Sequence, residues 1–252
     1  MGFTIDAGWL EAVMLASVRM AAFVVIAPPF SYGAVPGRVK AALAVGLGLA
    51  VSPRVAAGYV PAEGGAFFGA IVAELVTGAA LGFLVLVIFS AIQSAGSLLD
   101  LFGGFQLAMG YDPQSMVQGA QFARLFHLAG IALLVSSGAY LVVFSGVFAS
   151  FDAIPVGSAI DLAASAEQAI HAVTGMLVAA AQIAAPLIVV LFLADLGLGL
   201  LTRVAPALNA FSLGFPLKIL LTLALAGTVF VALPAVVEAL ASDAMAAMRE
   251  AG

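Results

Sequence analysis

The stretch Gly103–Gln121, GGFQLAMGYDPQSMVQGAQ, interrupts a chain that is otherwise almost continuously apolar. Its four glycines, four glutamines and Asp112-Pro113 pair make a poor helix interior, because Gly and Pro are the costliest residues there. It is not an ordinary solvated loop either. Asp112 is its only formal charge, and it carries Phe105, Leu107, Met109, Tyr111, Met116 and Val117. A permissive backbone bearing soft, adaptable side chains suits a surface that closes around something and then lets go. The same residues also suit a slightly apolar loop lying against its own protein.

The rest of the chain decides the class. Hydrophobic residues make up 64% of it and charged residues 8%, with a mean hydropathy of +1.23. A soluble domain carries roughly 25% charged residues, so this chain lacks the polar surface to cover itself in water. It reads as an all-α, polytopic, membrane-associated protein of helical hairpins. Cysteine is absent, which removes disulfides and thiolate metal sites. His127 and His171 stand far apart with no metal-binding motif beside them, so no metal or cofactor is expected. A net charge of −5, spread thinly, offers no basic run for nucleic acid. The N-terminus carries Asp6 and Glu11 where a secretory signal would be basic, so the first apolar segment is expected to be retained. Gly2 does not make a myristoylation signal, because position 6 is Asp.

Before the central stretch, residues 8–27 form an apolar segment broken by Glu11 and Arg19. An arginine at mid-span costs at least ~2.5 kcal/mol on insertion scales, so Arg19 should face protein or water. Pro28-Pro29 ends that helix. PPFSYGAVPGRVK is then a turn, and the apolar run Ala41–Ser52, closed by Pro53-Arg54, is too short to cross ~30 Å of hydrocarbon. From Ala66 to about Phe102 one apolar pattern exceeds the length of a single span. It contains Glu74 and the glycine ladder Gly65, Gly69, Gly78 and Gly82, a spacing that lets helices approach closely. Ser90, Gln93, Ser94, Ser97 and Asp100 recur every three or four residues on one helix face. A pore wall would explain that stripe, and so would hydrogen bonding between helices.

Beyond it, Arg124–Ser150 reads as one strong span, and FDAIPVGSAIDLAASAEQ as a polar connection. Ala169–Leu201 is long, with Pro186 expected to kink it and Asp195 deep inside. Pro206 and Pro216 should break the chain there, Lys218 reopens an apolar run to Val237, and residues 238–252 form a short amphipathic tail. The basic residues give no clean alternation for assigning topology.

The segment ADLGLGLLTRVAPALNAFSLGFPLK, with Arg203, Pro206, Asn209, Gly214, Pro216 and Lys218 in order, resembles the FliR family of flagellar biosynthesis proteins. The virulence counterpart of that family is the T component of injectisomes. Arg19 followed by PPFSYGAVPGRVK (with Pro36 and Lys40), the AGSLLDLFGGF run and the YDP of the central loop fit the same family. Ala207 departs from it, standing where the family commonly has Gln, which puts any contact of that side chain in doubt. The resemblance implies a non-enzymatic subunit of a helical export-gate ring in the bacterial inner membrane, within the flagellar basal body. Its implied partners are P-type and Q-type gate subunits, the B-type export switch component, unfolded flagellar export substrates and membrane lipid. It further implies a P-like region at 1–200 and a Q-like C-terminal hairpin at 201–252.

The family's plug loop maps onto about Gly104–Gln118, with Gly104, Phe105, Gln106, Met109, Gly110, Tyr111, Asp112, Pro113, Met116 and Gln118 as its candidate gate residues. Arg19, Glu74, Asp195, Arg203 and Lys218 are candidate interface or intramembrane charges. Discontinuous helices with buried charges also mark secondary transporters, which is the competing reading, although no paired half-repeat is visible. An intramembrane protease would need a Ser–His or metal motif. Ser136 or Ser137 with His127 or His171 matches only in composition.

Overall fold

A computed structural model describes residues 6–31, 33, 35–57, 59–61, 64–105, 121–205 and 210–251. Seven helices run through them: α1 Ala7–Ile26, α2 Gly37–Val55, α3 Gly65–Phe102, α4 Gln121–Ser136, α5 Ala139–Ala153, α6 Leu162–Val204 and α7 Ala210–Glu250. No strand occurs among the described residues. Four helices are long and apolar enough to cross a membrane, namely α1, α3, α6 and the part of α7 from Leu213 on, and α4 with α5 makes a fifth if that bent pair is one span. The helices form two compact units, each from separate stretches of chain: Met1–Ile88, Ser137–Val173 and Ala239–Gly252 in one, Phe89–Ser136 and Thr174–Glu238 in the other.

In the first unit α1 starts where Asp6 caps it, its carboxylate accepting the Gly8 N–H at 3.2 Å. It ends before Pro28-Pro29, whose peptide is cis. Small residues set how closely its neighbours lie. Gly48 of α2 sits on Ser17, and Gly78 and Gly82 of α3 lie on the α1 backbone at Arg19 and Phe23. A Cβ on Gly78 would meet the Arg19 carbonyl oxygen and Ala22. Gly65 and Gly69, the other pair of the ladder, have open space around them. Only half of the sequence ladder is therefore a packing seam here.

In the second unit α3 and α4 pack through Gly96, where a Cβ would lie 2.5 Å from the Phe122 carbonyl oxygen, and through Gly130 against Ile92. Phe126 of α4 meets Phe230 of α7 edge to face, with centroids 5.3 Å apart. Gly214 of α7 sits against Leu198 of α6.

The structure corrects several boundaries. Pro53 does not close the second helix. It lies within the last turn of α2, which continues to Val55. Val51 and Val55 are both buried, and packing of that face outweighs the one hydrogen bond a proline forfeits. The stretch read as a single span from Arg124 to Ser150 is broken at Ser137-Gly138, where Gly138 adopts φ +77° and caps α5. Pro216 lies inside α7 rather than at a break. The C-terminal residues are not a separate tail. They are the last turns of α7, where Leu240, Ala241, Ala244 and Met248 are buried and Met245 and Met248 pack on Gly146.

Gly78→Ala should lower stability by about 1–3 kcal/mol, the usual cost of overpacking, because backbone and not a movable side chain stands in the way. Gly69→Ala should leave the thermal midpoint in detergent unchanged or raise it.

Candidate functional site

Among the described residues three constellations of charged groups inside apolar helices stand out, each within one unit. The first centres on Arg19, whose side chain is fully buried together with that of Glu74. Arg19 Nε donates to Glu74 Oε2 at 2.6 Å and Nη2 to Glu74 Oε1 at 3.0 Å, a bidentate pair. Nη2 also donates to the Ile154 carbonyl at 3.0 Å, and Nη1 to the carbonyl and hydroxyl oxygens of Ser150, both at 3.3 Å. The guanidinium lies over the Phe151 ring, 4.2 Å from its centroid, and Glu74 Oε1 also accepts the Gly157 N–H at 2.8 Å. Arg19 thus bonds the Ile154 carbonyl at the C-cap of α5 and adds a second donor to the Ser150 carbonyl, which already accepts the Ile154 N–H at 2.8 Å, while Glu74 holds the turn after it. Ser150, Phe151 and Gly157 were not singled out by sequence, since nothing local marks a carbonyl as the partner of a charge 131 residues away.

The second constellation is Asp100. It is fully buried, its Oδ1 accepting the Phe122 N–H at 3.0 Å and its Oδ2 the Ala123 N–H at 2.9 Å. These belong to the first turn of α4, where donors lack partners in their own helix and the dipole favours an anion. Asp100 therefore parts from the polar stripe, of which Gln93 and Ser97 are exposed and Ser90 and Ser94 half-buried. Ser97 Oγ donates to the Gln93 carbonyl at 3.2 Å, and Ser94 Oγ lies 3.6 Å from Met176 Sδ. Two candidate gate residues sit beside Asp100. Gly104, at φ +80°, turns the chain after α3 and lies close to Phe215 of α7. Phe105 then meets Phe122 edge to face, with centroids 5.1 Å apart. The candidates Gln106, Met109, Gly110, Tyr111, Asp112, Pro113, Met116 and Gln118 lie outside the described residues.

The third is the pair between Asp195 of α6 and Lys218 of α7, at 2.6 Å, with the lysine 22% and the aspartate 47% exposed. The sequence could assign Asp195 no partner, and helix pairing brings it to Lys218. Arg203 is exposed in the last turn of α6, where a cation complements the helix dipole. Of the family-motif residues, Pro36 sits at the N-cap of α2, its carbonyl accepting the Lys40 N–H at 3.2 Å. Gly214 is buried against Leu198, and Pro216 is exposed inside α7. Pro206, Ala207 and Asn209 lie outside the described residues.

Such an arrangement holds helices in register. Groups of three or more His, Cys, Asp or Glu side chains that could hold a metal ion are absent among the described residues. Removing one member of the Arg19–Glu74 pair leaves a buried charge without its counter-ion, which costs about 3–5 kcal/mol. Arg19→Met and Glu74→Gln should each lower the unfolding free energy in detergent by about that much. The double substitution Arg19→Met/Glu74→Met should recover a large part of the loss, and a double-mutant cycle measures the coupling.

Comparison with known proteins places these features. The family described as "Bacterial export proteins, family 1" matches residues 10–244. The flagellar biosynthetic protein FliR of Escherichia coli (strain K12) is 31% identical over 216 residues, covering 84% of this chain and 81% of that protein. The FliR of Pectobacterium carotovorum subsp. carotovorum is 29% identical over 236 residues, 93% of this chain and 90% of the relative. The Yop proteins translocation protein T of Yersinia pestis is 34% identical over 149 residues, 58% of this chain and 56% of that protein. With nearly the whole chain matched, from the helix that carries Arg19 to the last turns of α7, this protein belongs to the bacterial export proteins of family 1, the family of the flagellar FliR proteins.

Proposed function

We propose that this protein is a structural, non-catalytic subunit of the flagellar type III export gate, building with P-type and Q-type subunits the conduit through which unfolded flagellar proteins leave the cytoplasm. The observation that carries this reading is the exposed apolar surface of α6. Large apolar side chains are exposed along its whole length, from Leu162 through Ile170, Leu177, Phe192 and Leu200 to Val204. At about 1.5 Å per residue its 43 residues have a contour of about 65 Å, whereas the hydrocarbon of a bilayer is only ~30 Å thick. Lipid can cover roughly half of that length. Neighbouring protein is the natural cover for the rest, since an apolar surface of this extent is not left to water. In this reading the neighbours are the P-type and Q-type subunits, with the B-type switch component a further one, and the assembly sits in the bacterial inner membrane at the flagellar basal body; membership of the export family supports it.

In this reading the segment from Gly104 to Gln118 is the plug of the conduit. Its base stands on packed helices through Gly104 and Phe105, which is what a seal requires of its hinge. A seal also has to release, and many soft contacts from Met109, Tyr111 and Met116 let go more readily than buried ion pairs. The region 1–200 would correspond to a P-like part and 201–252 to a Q-like hairpin. A transporter would instead need a charge able to exchange partners along a path. Arg19, Glu74 and Asp195 are each held by a counter-charge at 2.6 Å.

Two measurements test the proposal. Co-expressed with P- and Q-type subunits, the chain should purify in one complex by native mass measurement, and alone it should aggregate or be degraded. Deleting residues 107–118 should leave that complex assembled and make it conduct ions in a planar bilayer. A stable, substrate-binding monomer would favour the transporter, and a deletion complex as tight as wild type would show that the segment is not the seal.

A further inference from the structure

The Asp195–Lys218 pair sits where charge is costly and where an aspartate is badly placed to escape. Asp195 lies nine residues before the end of α6, about 14 Å of helix. Lysine and arginine side chains are long enough to carry a charge out of apolar surroundings, and aspartate is not. The residues beside the pair are large, apolar and exposed: Phe192, Leu193, Leu196 and Leu200 on α6, Leu217 and Leu220 on α7. Ionisable groups inside apolar spans face protein or water and not lipid. A rim of leucine and phenylalanine of this extent is not left to water. That leaves protein.

Two features say what kind of protein surface fits. The first is an open acceptor. Lys218 meets Asp195 through Oδ2 at 2.6 Å, and Oδ1 accepts no hydrogen bond among the described residues. The pair is already neutral, so a second cation would bring in a charge without a counter-ion of its own. A hydroxyl or an amide N–H satisfies the carboxylate and leaves the balance intact. The second feature is space. Gly199 lies one turn after Asp195 on the same face, with nothing within 4 Å of the position a Cβ would take. An uncovered glycine lets another helix backbone approach closely, near enough for a short side chain to reach the carboxylate. Phe192, three residues before Asp195, exposes its ring on that face as an apolar contact.

We propose that Asp195 is an interface acceptor: the α6 face of Phe192, Asp195 and Gly199 receives an apolar helix of a neighbouring gate subunit, which sets a Ser, Thr, Asn or Gln side chain against Oδ1. The proposal rests on the gate reading above and adds the residues and the donor chemistry of one of its subunit contacts. Lys218 neutralises the carboxylate and holds it in place, and the neighbour completes its hydrogen bonding.

The complex with P- and Q-type subunits supplies the test. A pair that only staples α6 to α7 can be exchanged for apolar residues of similar size with little loss. Asp195→Leu/Lys218→Met should nonetheless lower the association constant about tenfold, read by native mass measurement across a subunit titration, because the neighbour's donor is stranded. Asp195→Asn/Lys218→Met keeps an acceptor oxygen without any charge and should restore most of that loss. If the Leu/Met variant assembles like wild type, the acceptor role is refuted and the gate reading stands. If both variants lose assembly alike, the pair serves folding alone, which also overturns the proposal. An independent reading of the contact comes from p-benzoylphenylalanine in place of Phe192, an aromatic exchange that leaves the pair intact. Irradiation should join it to a P- or Q-type subunit at a helix segment bearing a Ser, Thr, Asn or Gln. Cross-links to lipid alone, or none to another subunit, would overturn the interface. If the wild-type chain itself assembles with neither subunit, the gate reading falls and the interface with it.

Discussion

An arginine carried into the middle of an apolar helix bundle must bring its counter-charge with it. Arg19 lies fully buried in a salt bridge to Glu74, and every nitrogen of its guanidinium donates to an oxygen of Glu74, Ser150 or Ile154. In a medium of low dielectric each missing bond would be expensive, so the geometry of four chain segments is set together. The α1 helix supplies the cation and α3 the anion. The end of α5 supplies the Ser150 and Ile154 carbonyls, and Gly157 supplies an N–H. A pair of this kind contributes little net stability over an apolar equivalent. Its contribution is specificity of register, because α3 cannot slide along α1 by one turn without stranding both charges.

Close approach makes that register possible. The guanidinium reaches Glu74 from a helix that α3 touches through Gly78 and Gly82, where a side chain would have to occupy the α1 backbone. Gly96 does the same for the Asp100 cap in the other unit. In both places a glycine lets two helices come near enough for a buried charge to find backbone or side-chain partners. Small residues and buried charges are therefore parts of one device here, the first setting the distance and the second the register.

Helix length adds a different constraint. The α3, α6 and α7 helices run for 38, 43 and 41 residues, about 57–65 Å of contour each. Much of α3 is buried within the chain, but only 22% of the most apolar window of α6 or of α7 is. A helix that long and that poorly covered has more apolar surface than one bilayer can shelter. In the proposed assembly neighbouring subunits would cover the remainder, which would link its folding to association.

Composition and period alone established that this chain is helical and membrane-associated. Too few charges exist to wet its surface, and only helices satisfy every backbone group within one segment. The helix stop at Pro28-Pro29 and the four-residue spacing of Gly78 and Gly82 were legible because each is a pattern local to one stretch of chain. Local signals failed where a partner arrived from far along the chain. Pro53 was read as a stop because its cost is local, while the burial of Val51 and Val55 that overrides it is not. The break at Ser137-Gly138 did have a signal, two serines and a glycine in an apolar run, but hydropathy averaged over it. Only the tertiary structure could decide that Asp100 turns inward to cap α4 and that Asp195 pairs with Lys218. A period of 3.6 residues says which side chains share a face, and it takes the packed neighbour to say what that face meets.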